Sequence, residues 1–99
     1  MYKTLKRKSD GIRFSATQLT RDNFEECVRK LGRLIITSYK DHDKNNLVQV
    51  KVCSATDSHN KCTQATIAEE GDWIMTHIGH DSASVLAKDF VSENFEIIE

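Results

Sequence analysis

The fold is decided by the stretch Ala68-Glu69-Glu70-Gly71-Asp72-Trp73-Ile74-Met75, together with Asp89-Phe90-Val91 and Asn94-Phe95-Glu96-Ile97-Ile98 further along the chain. Gly71 can adopt the positive φ that a tight turn needs, and the Asp72 side chain can accept hydrogen bonds from nearby backbone N–H groups. Trp73 then begins an apolar run of the kind found in strands. The pattern predicts a turn, a strand, a short helix over 89–94 with Phe90 and Val91 inward, and a final strand.

A longer helix is predicted over about residues 22–31. Asp22 followed three residues later by Glu25 resembles a capping box at its start. Gly32 stands where a left-handed C-cap is needed. The apolar residues that share one helical face are Phe24, Cys27, Val28 and Leu31.

Alternating or β-branched segments predict the remaining strands at 12–18, 34–39, 47–52, 63–67, 73–78 and 84–87, separated by polar turns at 41–46, 54–61 and 79–82. We therefore expect a single α+β domain over residues 1–99. Its mixed, mainly antiparallel sheet should have about five or six strands, with the longer helix on one face. One core should contain Phe24, Val28, Leu31, Trp73, Ile74, Phe90 and Phe95.

Composition places the chain among intracellular globular proteins. It has 99 residues, of which 38% are hydrophobic and 29% are charged. The run Leu34-Ile35-Ile36 is far too short for a membrane span, and no apolar segment follows the basic N-terminus as in a signal peptide. The three cysteines, Cys27, Cys53 and Cys62, cannot all pair with one another, so we interpret them as thiols in a reducing cytoplasm.

The net charge of −1 conceals two oppositely charged halves. Residues 1–65 contain 13 Lys/Arg and 7 Asp/Glu, giving +6, whereas residues 66–99 contain 1 and 8, giving −7. If the halves occupy separate faces, the surface is dipolar and steers a charged partner. If strands from the two halves alternate, which is common in small sheets, the field averages out.

Candidate catalytic chemistry is sparse. Potential zinc ligands are Cys53, His59, Cys62, His77 and His80, but the spacing Cys-x5-His-x2-Cys matches no compact zinc site, and two cysteines flanking a hairpin explain it more simply. Cys27 lies on the core face of the predicted helix, where a thiol is inert. The four glycines are isolated, so no phosphate loop is present. We expect a protein that is not an enzyme and has no cofactor, metal site or catalytic residues.

Four segments carry a family resemblance: Ala16-Thr17-Gln18, Arg21-Asp22-Asn23-Phe24-Glu25-Glu26, Glu70-Gly71-Asp72-Trp73-Ile74 and Asp89-Phe90-Val91. They resemble small phage and prophage proteins of uncharacterised role with a Pro-Gly-Asp-Tyr/Trp-Ile-Ile stretch and an Asp-Ile-Phe-x-x-x-Tyr-Glu ending. Glu70 replaces that proline, and Phe95-Glu96 replaces Tyr-Glu. The resemblance implies phage ancestry and action in the host cytoplasm, without implying an activity. Residues 86–96 are also similar to the end of small phage proteins that sequester cyclic nucleotide signals.

Three functions follow from these observations. The first is a phage-type accessory protein that inhibits or modulates a host protein, such as a nucleic-acid-handling enzyme, through the acidic residues Glu69, Glu70, Asp72 and Glu96. The second is a homodimer or small homo-oligomer that sequesters a nucleotide. The third is nucleic-acid binding. Either of the last two would use the basic residues Lys6, Arg7, Lys8 and Arg13, which a solvated terminus also explains.

Overall fold

The computed structural model describes residues 3–40, 48–59, 61–76 and 82–98, with only the backbone of residue 33. Its strands are β1 (Lys3–Arg7), β2 (Arg13–Gln18), β3 (Ile35–Lys40), β4 (Val48–Thr56), β5 (Cys62–Glu69), β6 (Trp73–Thr76), β7 (Ala83–Leu86) and β8 (Phe95–Ile98). Its helices are α1 (Phe24–Leu31) and α2 (Lys88–Asn94), and a 3-10 turn, Gly32–Leu34, follows α1. The α+β class is confirmed. The predicted turn at 41–46, His77 and His80 lie outside the described residues.

The strands form two antiparallel sheets, where the sequence predicted one sheet of five or six strands. The first sheet has the order β7-β6-β2-β1-β8, and the second has the order β3-β4-β5. The additional strand is β1, a basic segment that was predicted to be either a phosphate-binding site or a solvated terminus. Its central residue, Leu5, is fully buried, although charged residues stand on both sides of it.

One core lies between the first sheet and α2. Cross-strand pairing places Leu5 beside Phe14 and Ala16 beside Met75 on the same face. The buried members of this core are Leu5, Ala16, Trp73, Met75, Val91 and Phe95. Phe90 was predicted to face inward but is 48% exposed. The cause is the short length of α2, which can turn only one narrow stripe toward the sheet, and Val91 occupies it.

A second core lies between the opposite face of the first sheet, α1 and the second sheet. Its buried members are Leu19, Phe24, Cys27, Leu31, Val48, Val50, Val52, Ala68, Ile74 and Ala83. Trp73 and Ile74 are neighbours in β6, and successive strand residues point to opposite faces, so they enter different cores. The prediction of one shared core was therefore wrong, although the predicted burial of Phe24 and Trp73 is confirmed.

The ends of α1 differ in detail from the prediction. The N-cap is Asn23, not Asp22, and no side chain of the described residues caps the helix. The Asn23 Oδ1 atom instead accepts the Thr20 N–H at 2.8 Å, which stabilises the loop before the helix. Gly32 has the positive φ expected of it, 51°, but its ψ of −118° lies outside the left-handed helical region, and the chain continues into the 3-10 turn.

The two oppositely charged halves of the chain alternate in the first sheet. β1 and β2 lie between the C-terminal strands β6 and β8. As one consequence, Lys6 of β1 is directly opposite Glu96 of β8. This is the arrangement in which the two charges offset one another locally. In the part of the chain that the structure describes, no helix is long and apolar enough to cross a membrane.

Candidate functional site

Two of the predicted acidic residues, Glu70 and Asp72, stabilise the turn before β6 by accepting backbone hydrogen bonds. Gly71 provides the positive φ of 96° that this turn requires. The Asp72 carboxylate accepts the Glu69 N–H at 2.9 Å, and the Glu70 carboxylate accepts the Arg21 N–H at 3.0 Å. Both side chains therefore hold backbone in place. Glu69 contributes its backbone to the turn, and its side chain is exposed.

Glu96 lies apart from the other predicted acidic residues. It belongs to β8, and two strands, β1 and β2, separate β8 from β6, where the turn of Asp72 ends. Adjacent strands are ~4.8 Å apart, so the two positions are separated by roughly 14 Å across the sheet alone. Glu96 also faces Lys6 across the strand pair. The structure does not bring the four predicted carboxylates into one site.

The predicted basic residues are likewise divided between the two faces of the first sheet. Lys6 and Arg13 are cross-strand neighbours on one face. Arg7, adjacent to Lys6 in β1, points to the other face, where its guanidinium lies 5.0 Å from the centre of the Phe14 ring. Lys8 follows in the turn after β1, and its Nζ is 3.5 Å from the Ser92 carbonyl oxygen. No continuous basic track results from this placement.

Arg7 is held by the turn that joins β1 to β2. Its Nη2 atom donates to Asp10 Oδ2 at 2.8 Å, and its Nε atom contacts both Asp10 oxygens at 3.1 Å. The hydrogen bond from Arg7, followed by one from the Ile12 N–H, lowers the pKa of Asp10. The same hydrogen bond raises the pKa of Arg7. The pair is exposed, so we assign it to fixing the turn and not to chemistry.

A groove of about 530 Å³ lies beside α2, and we call it the α2 groove. Its lining residues are Arg7, Lys8, Ser9, Met75, Leu86, Phe90, Glu93, Asn94 and Phe95. The volume is within the range of small-molecule sites. Its charges, however, cancel: Arg7 is paired with Asp10, and Glu93 offsets Lys8. A multiply charged anion therefore finds no net attraction in this groove.

The cysteines were interpreted as thiols, and this is corrected for two of them. Cys53 of β4 and Cys62 of β5 are joined in a disulfide, with their Cα atoms 5.8 Å apart. Because the two strands pair as a hairpin, residues that flank its loop come within disulfide range. Cys27 is not part of the disulfide and is buried, as predicted, and burial raises the pKa of its thiol. Among the described residues, no group of three His, Cys, Asp or Glu side chains could hold a metal ion.

The second sheet exposes one of its faces, and we call this the outer face. Alternation along β4 directs Val48, Val50 and Val52 into the core. Residues on the opposite side form two cross-strand rows, Thr37-Lys51-Ile67 and Tyr39-Gln49-Glu69. Tyr39 and Ile67 are each 52% exposed, so no described residue covers them. The outer face therefore combines large apolar side chains with Lys51, Gln49 and Glu69.

A depression of about 270 Å³ lies on the outer face between Tyr39 and Ile67. Ile36, in the irregular step of β3 next to this face, is 45% exposed. The sequence pattern predicted all three strands of this sheet but not its outer face. The signal in the sequence was Ile67, an apolar residue on the same side of its strand as Glu69. Only the cross-strand register shows that it lies in one row with Lys51 and Thr37. Of the predicted site residues, Glu69 alone belongs to the outer face.

Comparison with known proteins adds no relative: no protein-family model, no curated protein and no solved structure matches the chain.

Proposed function

We propose that this chain is a non-enzymatic accessory protein that binds another protein through its outer face. The observation that carries the proposal is the exposure of Tyr39 and Ile67 on one face of a sheet whose other face packs into the core through Val48, Val50, Val52 and Ala68. Tyrosine is enriched at protein interfaces because it contributes a large apolar ring and a hydrogen-bonding hydroxyl. Lys51 and Glu69 supply the flanking charges.

The shape of the outer face favours a protein over a small molecule as the occupant. Three strands ~4.8 Å apart, over about six residues of ~3.3 Å each, make a surface of about 14 by 20 Å, or ~300 Å². The depression on it, at about 270 Å³, is smaller than the usual small-molecule site. A flat surface with apolar anchors and polar neighbours is the geometry at which folded proteins meet.

The partner that we propose is a protein of the host cell, since the phage-type resemblance supports action there. Inhibition by occupying a surface needs no catalytic group. Glu69 is the predicted acidic residue that such a partner would contact, because it lies in the same cross-strand row as Tyr39 and Gln49. With Lys51 and Glu69 both exposed, the charge pattern of the partner is expected to affect the association rate more than the dissociation rate.

A paired-bait experiment tests this proposal. Wild-type protein, the double variant Tyr39→Ser/Ile67→Ser and the control variant Phe90→Ser are immobilised and exposed to host lysate, and captured proteins are identified by mass spectrometry. Phe90 is a matched control because it is equally exposed, at 48%, but lies in the α2 groove. A partner retained by wild type and by the control, but not by the double variant, is then purified and titrated.

In that titration we expect the double variant to bind at least about tenfold more weakly, because two central anchors are removed. Binding that is unchanged by the double variant but lost in Phe90→Ser would reject the outer face and transfer the function to the α2 groove. The groove has the volume for a nucleotide, so the sequestration alternative is checked directly by titrating wild type with a fluorescent cyclic purine nucleotide. Saturable binding that Phe90→Ser abolishes would favour that alternative.

A further inference from the structure

The edges of the two sheets differ in how well they are protected. β7 and β8 are four residues long, and β3 is interrupted by an irregularity between Ile35 and Thr37. β5 is eight residues long, and its residues 62–68 contain neither charge nor proline. Short length, bulges, charges and proline are the devices by which edge strands avoid pairing with other chains. The pairing of β5 with β4 is irregular between Cys62 and Ala65, but from Ala65 to Ala68 β5 has none of these devices.

Hydrogen bonds at the end of β5 show which of its backbone groups face outward. The Gln64 carbonyl accepts the Ser54 hydroxyl of β4 at 3.1 Å, so it faces β4. The Glu69 N–H donates to Asp72 Oδ2 and its carbonyl accepts the Asp72 N–H, so this residue faces away from β4. Backbone direction alternates along an antiparallel strand. Ala65 and Ile67 therefore turn their N–H and C=O groups away from β4, where no described residue accepts or donates to them.

We infer that β5 is the docking edge for a second copy of this chain, which pairs its own β5 antiparallel to the first about a two-fold axis near Thr66. Ala65 of one copy then lies opposite Ile67 of the other, and these residues exchange about four backbone hydrogen bonds. Thr66 of each copy meets Thr66 of the other beside the axis, a favourable cross-strand pair. The two three-stranded sheets become one sheet of six strands.

Charge complementarity selects a second copy in this orientation. Lys61 precedes β5 and Glu69 ends it, with both side chains exposed and the segment between them uncharged. Antiparallel pairing brings the start of one strand beside the end of the other. Each Glu69 carboxylate then comes within reach of Lys61 of the second copy, once at either end of the interface. Parallel pairing would instead place like charges together.

The inference goes beyond the proposed function and does not depend on it, because the dimer is measured without any other protein. Sedimentation velocity of the full chain is recorded across two decades of protein concentration. Edge pairing buries less surface than a permanent interface, so we expect reversible association in the micromolar range. A chain that remains monomeric at the highest concentration would overturn the inference.

Two sets of variants identify the interface. Ala65→Pro removes an outward N–H without removing a donor to β4, so it should raise the dimer dissociation constant at least about tenfold while circular dichroism stays unchanged. Glu69→Lys should weaken the dimer about tenfold by placing like charges together at both ends. The double variant Lys61→Glu/Glu69→Lys should restore affinity to within about twofold.

Glu93→Lys is the matched control, since it makes the same charge change on α2, away from β5. We expect it to leave the dissociation constant within about twofold of wild type. A dimer that resists both Ala65→Pro and Glu69→Lys, or one that the double variant does not restore, would overturn the inference. Tyr39→Ser lies in β3, away from the β5 edge, so loss of partner binding in this single variant while its dimer stays intact would separate the two proposals.

Discussion

Leu5→Ala tests whether the basic N-terminal segment is an integral strand. Leu5 is fully buried in the core beneath α2, and its strand lies between β2 and β8. Removing three buried carbons costs about 2.4 kcal/mol in transfer free energy at ~0.8 kcal/mol each. A residual cavity of up to ~80 Å³ adds up to about 1.9 kcal/mol at ~24 cal/mol per Å³. We therefore expect a loss of about 2.5–4 kcal/mol in the free energy of unfolding.

Urea unfolding, followed by tryptophan fluorescence, provides the measurement, because Trp73 belongs to the same core as Leu5. The matched control is Ile12→Ala, a large apolar residue in the adjacent turn that is 49% exposed. Its expected cost is below about 0.5–1 kcal/mol. If Leu5→Ala costs less than about 1 kcal/mol, or no more than Ile12→Ala, β1 does not hold the sheet together and the reasoning is refuted.

The other predictions concern titration and redox state. Arg7 lowers the pKa of Asp10 in the folded chain, so the ionised Asp10 stabilises the fold at pH values above its unfolded pKa. This stabilisation is lost as the pH falls through the folded pKa. In urea titrations, the difference in unfolding free energy between wild type and Asp10→Asn should therefore shrink between pH ~7 and ~3. Burial raises the pKa of Cys27, so wild-type stability should fall above pH ~8.5, where the unfolded thiol ionises first, and Cys27→Ala should remove that slope. Reduction of the Cys53–Cys62 bond should lower the free energy of unfolding by about 2–3 kcal/mol, an effect absent in Cys62→Ser.

Local pattern was sufficient to predict most of the elements. The face shared by Phe24, Cys27 and Leu31 predicted α1, and the alternation of Val48, Val50 and Val52 predicted β4. In both cases the burial repeats at the period of the element, so the sequence contains the signal. The positive φ of the glycine in the turn at 69–72 was predicted for the same local reason.

Pairing could not be predicted in this way. Hydrophobic periodicity predicts a strand but does not indicate which other strand pairs with it. β1 also lacks the alternation itself, because its single apolar residue, Leu5, stands between polar neighbours. The separation of the predicted charged residues into different surfaces could not be predicted either, because it depends on the strands that they belong to. Lys6 and Arg7, for example, are adjacent in sequence but lie on opposite faces of the sheet. The disulfide also depends on register, because it joins positions that only the hairpin brings together.

The outer face and the β5 edge belong to the same three-stranded sheet, and this connects the two proposals. A single outer face of ~300 Å² is about a third of the ~800 Å² that one partner contributes to a standard interface, so one copy alone would bind weakly. Pairing through β5 places two outer faces side by side, giving ~600 Å² in one surface and two Tyr39 anchors. A partner that contacts both copies gains effective concentration as well as area. Affinity for a host protein should therefore rise with the dimer fraction, and Ala65→Pro should weaken partner binding although it changes no side chain of the outer face rows.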